Sequence, residues 1–293
     1  MAIFNLGSIN IDHLYRVEHL PRPGETVSAS TYSTGLGGKG LNQSLAAAAA
    51  GARVHHIGAV GAEGHRAVER LAAAGVETGD IAVVATVTGH AVVLVDPAGE
   101  NQIAIHSGAN REITADQLRR ALARAEEGDW FLTQNETALV AEGLVLARAR
   151  GLRTAFSAAP FETALAAAVL GSVDLLAVNE VEAAQLAAHL GTAVEDLPVP
   201  ALLVTKGARG AEYHAGGKIT AVAAFEVEAV DTTGAGDTFL GFFLAALDCG
   251  EAPEFALREA AAAAAIQVTR PGAAEAIPTG AEVAALLEAR RGR

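Results

Sequence analysis

Leu175-Leu176-Ala177-Val178-Asn179-Glu180-Val181-Glu182-Ala183-Ala184-Gln185-Leu186 begins as a short apolar run, turns polar at Asn179 and continues as a helix to Leu190. A strand followed by a helix is the repeating unit of an α/β domain, and the same pattern extends on both sides of it. Upstream come helix Ala115–Ala125, strand Trp130–Thr133, helix Leu139–Ala149, strand Thr154–Phe156 and helix Thr163–Leu170; downstream comes strand Leu202–Thr205. This alternation predicts a parallel, doubly wound sheet. Polar residues recur just past its strands, where open α/β sheets place ligand contacts. They are Glu136, then Asn179 with Glu182, then the run Thr205-Lys206-Gly207-Ala208-Arg209-Gly210. Asn179 and Glu182 admit two readings. They fit a helix cap with an acid in the first turn, and they fit the orientation of a hydrated magnesium ion, which keeps most of its waters and needs few carboxylates.

Towards the N-terminus, Ala2 to Leu6 reads as a buried first strand ending in Gly7-Ser8-Ile9-Asn10-Ile11-Asp12. Asn10 and Asp12, two apart, suit a grip on neighbouring hydroxyls of a polyol; they equally suit a turn that uses their local hydrogen bonds. Residues 14–32 are irregular, with breaks at Pro21, Pro23 and Gly24, and Ala91–Asp96 and Asn101–Ser107 form a hairpin around Pro97-Ala98-Gly99-Glu100. Together, segments 13–34 and 88–107 predict a small β-sheet lid on a single domain spanning 1–293. His106 falls in this lid and reads as a surface residue.

Gly35-Leu36-Gly37-Gly38-Lys39-Gly40-Leu41-Asn42-Gln43 leads into a helix expected over Ser44–Ala50. Gly35, Gly37 and Gly40 match the dinucleotide fingerprint in form only. That fingerprint closes the first strand of its fold and has an acid about 20 residues on, whereas Arg53–Ala59 contains none. A phosphate-binding Walker loop is excluded as well, since Gly40 follows Lys39 where Ser or Thr is required. Lys39 and Asn42 read instead as polar ligands for a neutral or weakly charged substrate that approaches the glycines closely. His55 and His56, adjacent on the expected strand Arg53–Val60, face opposite ways and cannot share a metal.

Val230-Asp231-Thr232-Thr233-Gly234-Ala235-Gly236-Asp237-Thr238-Phe239-Leu240-Gly241 is a loop feeding a helix. Gly234 and Gly236 let successive N–H groups point one way, and the helix adds its unpaired first-turn donors and dipole, which makes an anion hole at 234–236. Asp237 at its rim suits proton removal from a hydroxyl. The pair suggests phosphoryl transfer to an alcohol; a glycine turn with Asp237 as a helix cap is the other reading. A hairpin around Gly216-Gly217 and the helices Ala235–Leu247, Pro253–Thr269 and Ala281–Arg290 complete the chain.

The 293 residues are 51% hydrophobic and only 19% charged, the composition of a compact globular chain. A net charge of −13 argues against nucleic acid or an anionic membrane as the main partner. Cys249 is the only cysteine, so no internal disulfide forms, which fits a reducing cytoplasm. Met1 runs quickly into a strand and then polar residues, unlike a signal peptide.

From end to end the chain resembles the ribokinase-like carbohydrate kinases, also called the phosphofructokinase-B family. Its two signatures correspond to Gly37–Gln43 and Asp231–Gly241, with Gly7–His13, Pro23–Thr26, Ile105–Asn110 and Val268–Arg270 in the expected order. The resemblance implies a three-layer α/β/α domain with a β lid, ATP and magnesium as cofactors, and phosphorylation of a sugar's primary hydroxyl, D-ribose foremost. It implies that Asn10, Asp12, Gly38, Lys39, Asn42 and Glu136 bind the sugar, and that Asn179 and the run Thr205 to Gly210 hold ATP. It further implies that Gly234, Ala235 and Gly236 form the anion hole with Asp237 as general base. Asp231, Thr233, Gln267, Arg270 and Gly272 would line a potassium site, and a homodimer would form through the lids. Ser157-Ala158-Ala159-Pro160, Leu240, Ala261 and Ala276 depart from the family's usual residues, Ala276 bearing on the cation loop and Ala261 on the adenine pocket. A nucleoside acceptor calls for apolar or aromatic lid residues, a phosphorylated sugar for basic residues beyond Lys39, and a non-catalytic sensor would have no need of Asp237.

Overall fold

The computed structural model describes residues 1–290. In chain order the first half comprises β1 (Ala2–Leu6), β2 (Asn10–Val17), β3 (Ala29–Gly37), α1 (Lys39–Ala49), β4 (Arg53–Val60), α2 (His65–Ala73), β5 (Glu77–Val83), β6 (Gly89–Val95) and β7 (Asn101–His106). Then follow α3 (Ala115–Leu122), β8 (Trp130–Gln134), α4 (Val140–Ala149), β9 (Arg153–Ser157), α5 (Thr163–Val169), β10 (Leu175–Asn179) and α6 (Glu180–Leu190). The last part holds β11 (Ala201–Thr205), β12 (Ala211–Ala215), β13 (Lys218–Val222), α7 (Ala235–Asp248), α8 (Pro253–Gln267) and α9 (Gly280–Ala289).

The main sheet has the order β13-β12-β11-β10-β9-β8-β1-β4-β5. All its strands are parallel except β12 and β13, which add an antiparallel edge. Its strands are apolar on both faces because both are covered. Alternate residues serve opposite layers: Ile3, Leu132 and Leu203 pack with α1, α7, α8 and α9, whereas Phe4, Phe131 and Leu202 pack with α3, α4 and α6. His55 stacks on Phe4 at 4.4 Å while His56 is buried among polar groups, so the two imidazoles do face opposite ways.

From β1 the chain builds outward to β4 and β5, then returns to the other flank of β1 as β8 and continues to β11. The strand order therefore reverses between β1 and β8, and a crevice opens at their carboxyl ends. Asn10 follows β1 and Glu136 follows β8, so both lie at that point.

A second, four-stranded sheet, β3-β2-β6-β7, stands apart from the first. It is longer than the sequence suggests: β2 begins at Asn10 and β3 runs on through Gly37, beyond the expected limits of 13 and 34. β7 is exposed throughout, and its Ile103 and Ile105 lie open with Tyr32 of β3. No helix among the described residues is long and apolar enough to cross a membrane.

Two expectations need correction. The helix expected at Ser44 begins at Lys39, so the glycine-lysine run forms its first turns rather than a loop. β5 is unmarked in the sequence because, as a half-buried edge strand, it mixes Glu77, Thr78 and Asp80 with the apolar Ile81, Ala82 and Val83.

Candidate active site

The start of α1 is fitted against the end of β1. Leu41 N–H donates to the Ser8 carbonyl at 2.9 Å, and Gly40 N–H donates to Ser8 Oγ at 3.2 Å. A Cβ on Gly40 would lie 2.2 Å from Gly7 Cα, and one on Gly38, at φ 94°, would lie 2.8 Å from both Asn10 N and Ser8 O. These glycines thus serve a close approach of the protein to its own backbone, where the sequence suggested an approach to substrate. The packing carries Lys39 and Asn42 into the crevice.

Glu136 ties this junction to β8. One carboxylate oxygen accepts from Ser8 Oγ at 2.5 Å and from Lys39 N–H at 3.2 Å, while the other faces Lys39 Nζ at 3.7 Å. Asn10 is buried, and its Oδ1 accepts from Asn110 Nδ2 at 2.8 Å. Asn110 also brackets the backbone of Ile9, donating to its carbonyl at 3.2 Å and accepting from its N–H at 2.9 Å. Burial pushes the Asp12 carboxyl up to about 6; the nearby Glu136 and Glu275 add to the rise and Lys39 opposes it. Beside these residues lies a cavity of about 390 Å³ whose walls include Asn10, Glu136, Ile105, Arg111 and Phe161.

Asp237 sits in the first turn of α7, half-buried. Its Oδ1 accepts from Gln43 Nε2 at 2.8 Å and its Oδ2 from Asn42 Nδ2 at 3.1 Å. Burial raises its carboxyl above the usual aspartate range, against the lowering effects of Lys39 and the two amide donors. Gly241, one turn on, brings the two helices together: a Cβ there would lie 2.5 Å from Ala46 Cβ and 2.9 Å from the Gln43 carbonyl. Asn42 Oδ1 is buried without a partner among the described residues.

At the N-terminus of α7, Gly234 adopts φ 75°, which favours glycine. Ala235 N–H bonds to the Thr232 carbonyl at 3.2 Å. Gly234 and Gly236 N–H, joined by that of Asp237, have no acceptor among the described residues and form the open part of the expected anion hole. A Cβ on Gly236 would meet nothing within 4 Å. Thr232 also lines a neighbouring apolar cavity of about 350 Å³, with Ala208, Gly210, Phe225, Ala261, Ala264 and Val268. Ala261, expected near the adenine pocket, lines this cavity, and its small side chain leaves the cavity wide.

The loop before α7 is tied to α8. Asp231 accepts from Thr233 N–H and Gly272 N–H, both at 2.9 Å. Gln267 Nε2 donates to the carbonyls of Thr233 at 3.1 Å and Ala273 at 2.9 Å, and its Oε1 receives the Thr238 hydroxyl at 3.3 Å. The Arg270 guanidinium turns away to Glu282 at 2.5 Å.

Asn179 and Glu182 form a reciprocal capping box on α6. Asn179 Oδ1 accepts from Val181 and Glu182 N–H at 2.9 Å, and Glu182 Oε2 accepts from Asn179 N–H at 2.8 Å. One oxygen of Glu182 remains for water, and burial raises its carboxyl. Lys206 pairs with Glu212 and Arg209 with Glu180, so the basic residues past β11 are engaged with acids. The sequence alone assigns no role to Ser8, Gln43, Gln134 or Asn110, although Ser8, Gln43 and Asn110 stand within the motifs Gly7–His13, Gly37–Gln43 and Ile105–Asn110.

A family model described as pfkB family carbohydrate kinase matches residues 2–280. The chain is 35% identical to ribokinase from Haemophilus influenzae, over 97% of each chain. It is 36% identical to ribokinase from Bacillus subtilis, over 96% of this chain and 98% of the relative. Arabidopsis thaliana ribokinase complexed with ribose and ATP superposes with a TM-score of 0.86 at 30% identity, covering 98% of this chain and 99% of the other. With both signature runs converging on one crevice and the likeness extending over nearly the whole length, the chain belongs to the pfkB family of carbohydrate kinases.

Proposed function

We propose that the protein transfers the γ-phosphoryl group of ATP to the primary hydroxyl of a sugar, with D-ribose as acceptor and ribose 5-phosphate as product. The observation that carries this reading is the position of Asp237. Two amides hold it beside an open set of helix N–H donors, between a polar cavity walled by Asn10 and Glu136 and an apolar one walled by Thr232 and Phe239 of its own loop and helix. Its donors leave the carboxylate free lone pairs for the acceptor hydroxyl. The hydroxyl's proton goes to Asp237 as oxygen bonds to phosphorus, and ADP leaves with the electrons of the broken P–O bond. Gly234, Gly236 and Asp237 N–H groups stabilise charge growing on the transferred group. Asn10, Asp12, Lys39, Asn42 and Glu136 position the sugar.

Adenine fits the apolar cavity, whose alanines leave room for a flat ring. Gly207 and Ala208, with Thr205, Lys206, Arg209 and Gly210, border the nucleotide, and Asn179 at the cap of α6 lies on the same side. Magnesium, when bound with ATP, shields phosphate charge, and the free oxygen of Glu182 suits an orienting contact through water. For potassium, the Asp231 carboxylate and the Thr233, Gly272 and Ala273 carbonyls are a suitable oxygen donor set. Gln267 orders that set, and Arg270 enters only through its backbone. The small sheet acts as the lid, and its exposed Tyr32, Ile103 and Ile105 support a homodimer of lid on lid. A reducing cytoplasm suits the single, exposed Cys249.

A second acceptor class draws on Arg111 and Phe161, a cation and an aromatic in the wall of the acceptor cavity. They suit the carboxylate of ketodeoxygluconate or the base of a nucleoside. The test is ADP release from MgATP with D-ribose, 2-deoxyribose, fructose, ketodeoxygluconate and adenosine, each in potassium and in sodium. Turnover with ribose, raised by potassium, is the expected result. Preference for ketodeoxygluconate or adenosine would move the assignment to the second class, and ATP binding without turnover on any acceptor would overturn the kinase reading.

A further inference from the structure

A line of buried side chains that the proposed reaction does not use leads away from Asp237 through the core. Gln43 Nε2 donates to Asp237, and Gln43 Oε1 accepts from Gln134 Nε2 at 2.7 Å. Gln134 Nε2 donates as well to Asn5 Oδ1 at 2.8 Å. Asn5 Nδ2 donates to the Gly40 carbonyl at 2.9 Å and to Ser44 Oγ at 2.8 Å. Ser44 Oγ lies 2.8 Å from His56 Nδ1, and His56 Nε2 lies 3.1 Å from the Gly7 carbonyl. Asn5, Gln43, Gln134 and His56 are fully buried.

The two ends of this line fix the direction of every bond in it. At one end stands a carboxylate, which accepts only; at the other stand the carbonyls of Gly40 and Gly7, which also accept only. Gly7 requires the proton of His56 on Nε2, so Nδ1 must accept from the Ser44 hydroxyl. Burial pushes His56 down to about 4, which agrees with a neutral ring in that tautomer. Ser44 in turn receives Asn5 Nδ2, leaving Asn5 Oδ1 to face Gln134. From the other side, Asp237 requires the Gln43 N–H, leaving Gln43 Oε1 to face Gln134. The middle residue must supply a proton in both directions, and only an amide nitrogen does so. Gln134 spends both N–H groups this way, and its own Oε1 is left buried without a partner. Turning the Gln134 amide over would set its oxygen against two others.

We propose that Gln43 and Gln134 are positioning residues for the general base: Gln134 locks the Gln43 amide with its N–H towards Asp237, fixing that carboxylate's orientation and keeping it ionised. The role rests on the phosphoryl-transfer reading above. Without Gln134, Gln43 loses the donor that holds its oxygen and becomes free to turn away. Asp237 then keeps Asn42 as its one side-chain donor, with Lys39 and Glu136 as the charged groups that act on it. Loss of a donor to a carboxylate raises its pKa, so the acid limb of activity moves to higher pH.

Gln134→Met keeps length and volume but supplies no N–H, and it is to be compared with wild type in the full-length protein. The expected result is a kcat lowered about tenfold, an unchanged sugar KM, and an acid limb of kcat/KM displaced upward. In an Asp237→Asn background the same substitution should cost nothing further, because its effect passes through the carboxylate. An unchanged kcat and pH profile, or an equal loss in both backgrounds, overturns the proposal. If Gln134→Met does not melt cooperatively near wild type, the same measurements on Gln43→Met decide by the same criteria. Carbon NMR of the Asp237 carboxyl separates this proposal from the choice of reaction. Its titration should move upward in the variant whether or not any acceptor is turned over, and an unmoved titration overturns the positioning role even in an active kinase.

Discussion

The two sides of the crevice are built differently. On the acceptor side Asn10, Asn42, Gln43 and Glu136 are buried and hydrogen-bonded to neighbouring side chains, Asn110, Asp237, Gln134 and Ser8 among them, with Asn42 Oδ1 left over. On the nucleotide side Asn179, Ala208 and Arg209 are exposed, the charged groups pair among themselves, and the cavity is shaped by alanine, glycine, valine and phenylalanine. The difference follows the chemistry. A hydroxyl loses its proton only where water is excluded and the base is held still. The leaving nucleotide needs a place to rest and a way out. In the proposed reaction, rigid polar order is therefore concentrated where the proton would move, and loose apolar shape where the nucleotide would exchange.

The comparison breaks most sharply at Asp237. Asp237→Asn should fold with unchanged ATP and sugar KM values and lose turnover by a factor of about 10² to 10⁴. Steady-state ADP release decides this; near-normal kcat would remove the acceptor side from the chemistry. Filling the other side should do the reverse. Ala261→Leu crowds the apolar cavity and should raise KM for ATP about tenfold, leaving the sugar KM where it was. A matching rise in sugar KM would show that the two sides are not independent.

The smallest effect tests charge on the acceptor side. Asp12 titrates near 6 when the site is free, and a sugar hydroxyl that donates to its carboxylate lowers that value. Binding then releases a proton, so sugar affinity falls as pH drops through about 6 and is flat above it, by up to about tenfold per unit. Calorimetric titration between pH 7 and 5 measures it. The dependence should vanish in Asp12→Asn; its survival there would assign it to another group.

Much of the main sheet was legible because strands such as β1, β10 and β11 carry apolar runs and the helices between them a regular pattern. β5 escaped, since an edge strand covered on one side mixes glutamate and aspartate with its apolar residues. The start of α1 escaped for a different reason. Glycines at 38 and 40 argue locally against a helix, and what requires them is the backbone of Gly7, Ser8 and Asn10, far away in sequence. Asp237 and Asn42 were recognisable by their motifs, yet the bond between them depends on a helix crossing that no local pattern encodes. Gln134 was out of reach for the same reason: its partners Gln43 and Asn5 are 91 and 129 residues distant. Asn179 and Glu182 show the opposite case. The capping reading held, since it is written in four adjacent residues, and capping leaves one oxygen of Glu182 for the proposed contact to magnesium through water.

The missing side chain at position 241 also has a bearing on descent. A methyl group there would collide with the methyl of Ala46, and the two helices would part just where Asn42 and Gln43 reach Asp237. The same methyl would also lie 2.9 Å from the Gln43 carbonyl and the Ala47 nitrogen, so shedding bulk at 46 would not make room for it, and among related chains position 241 should stay glycine while 46 stays small.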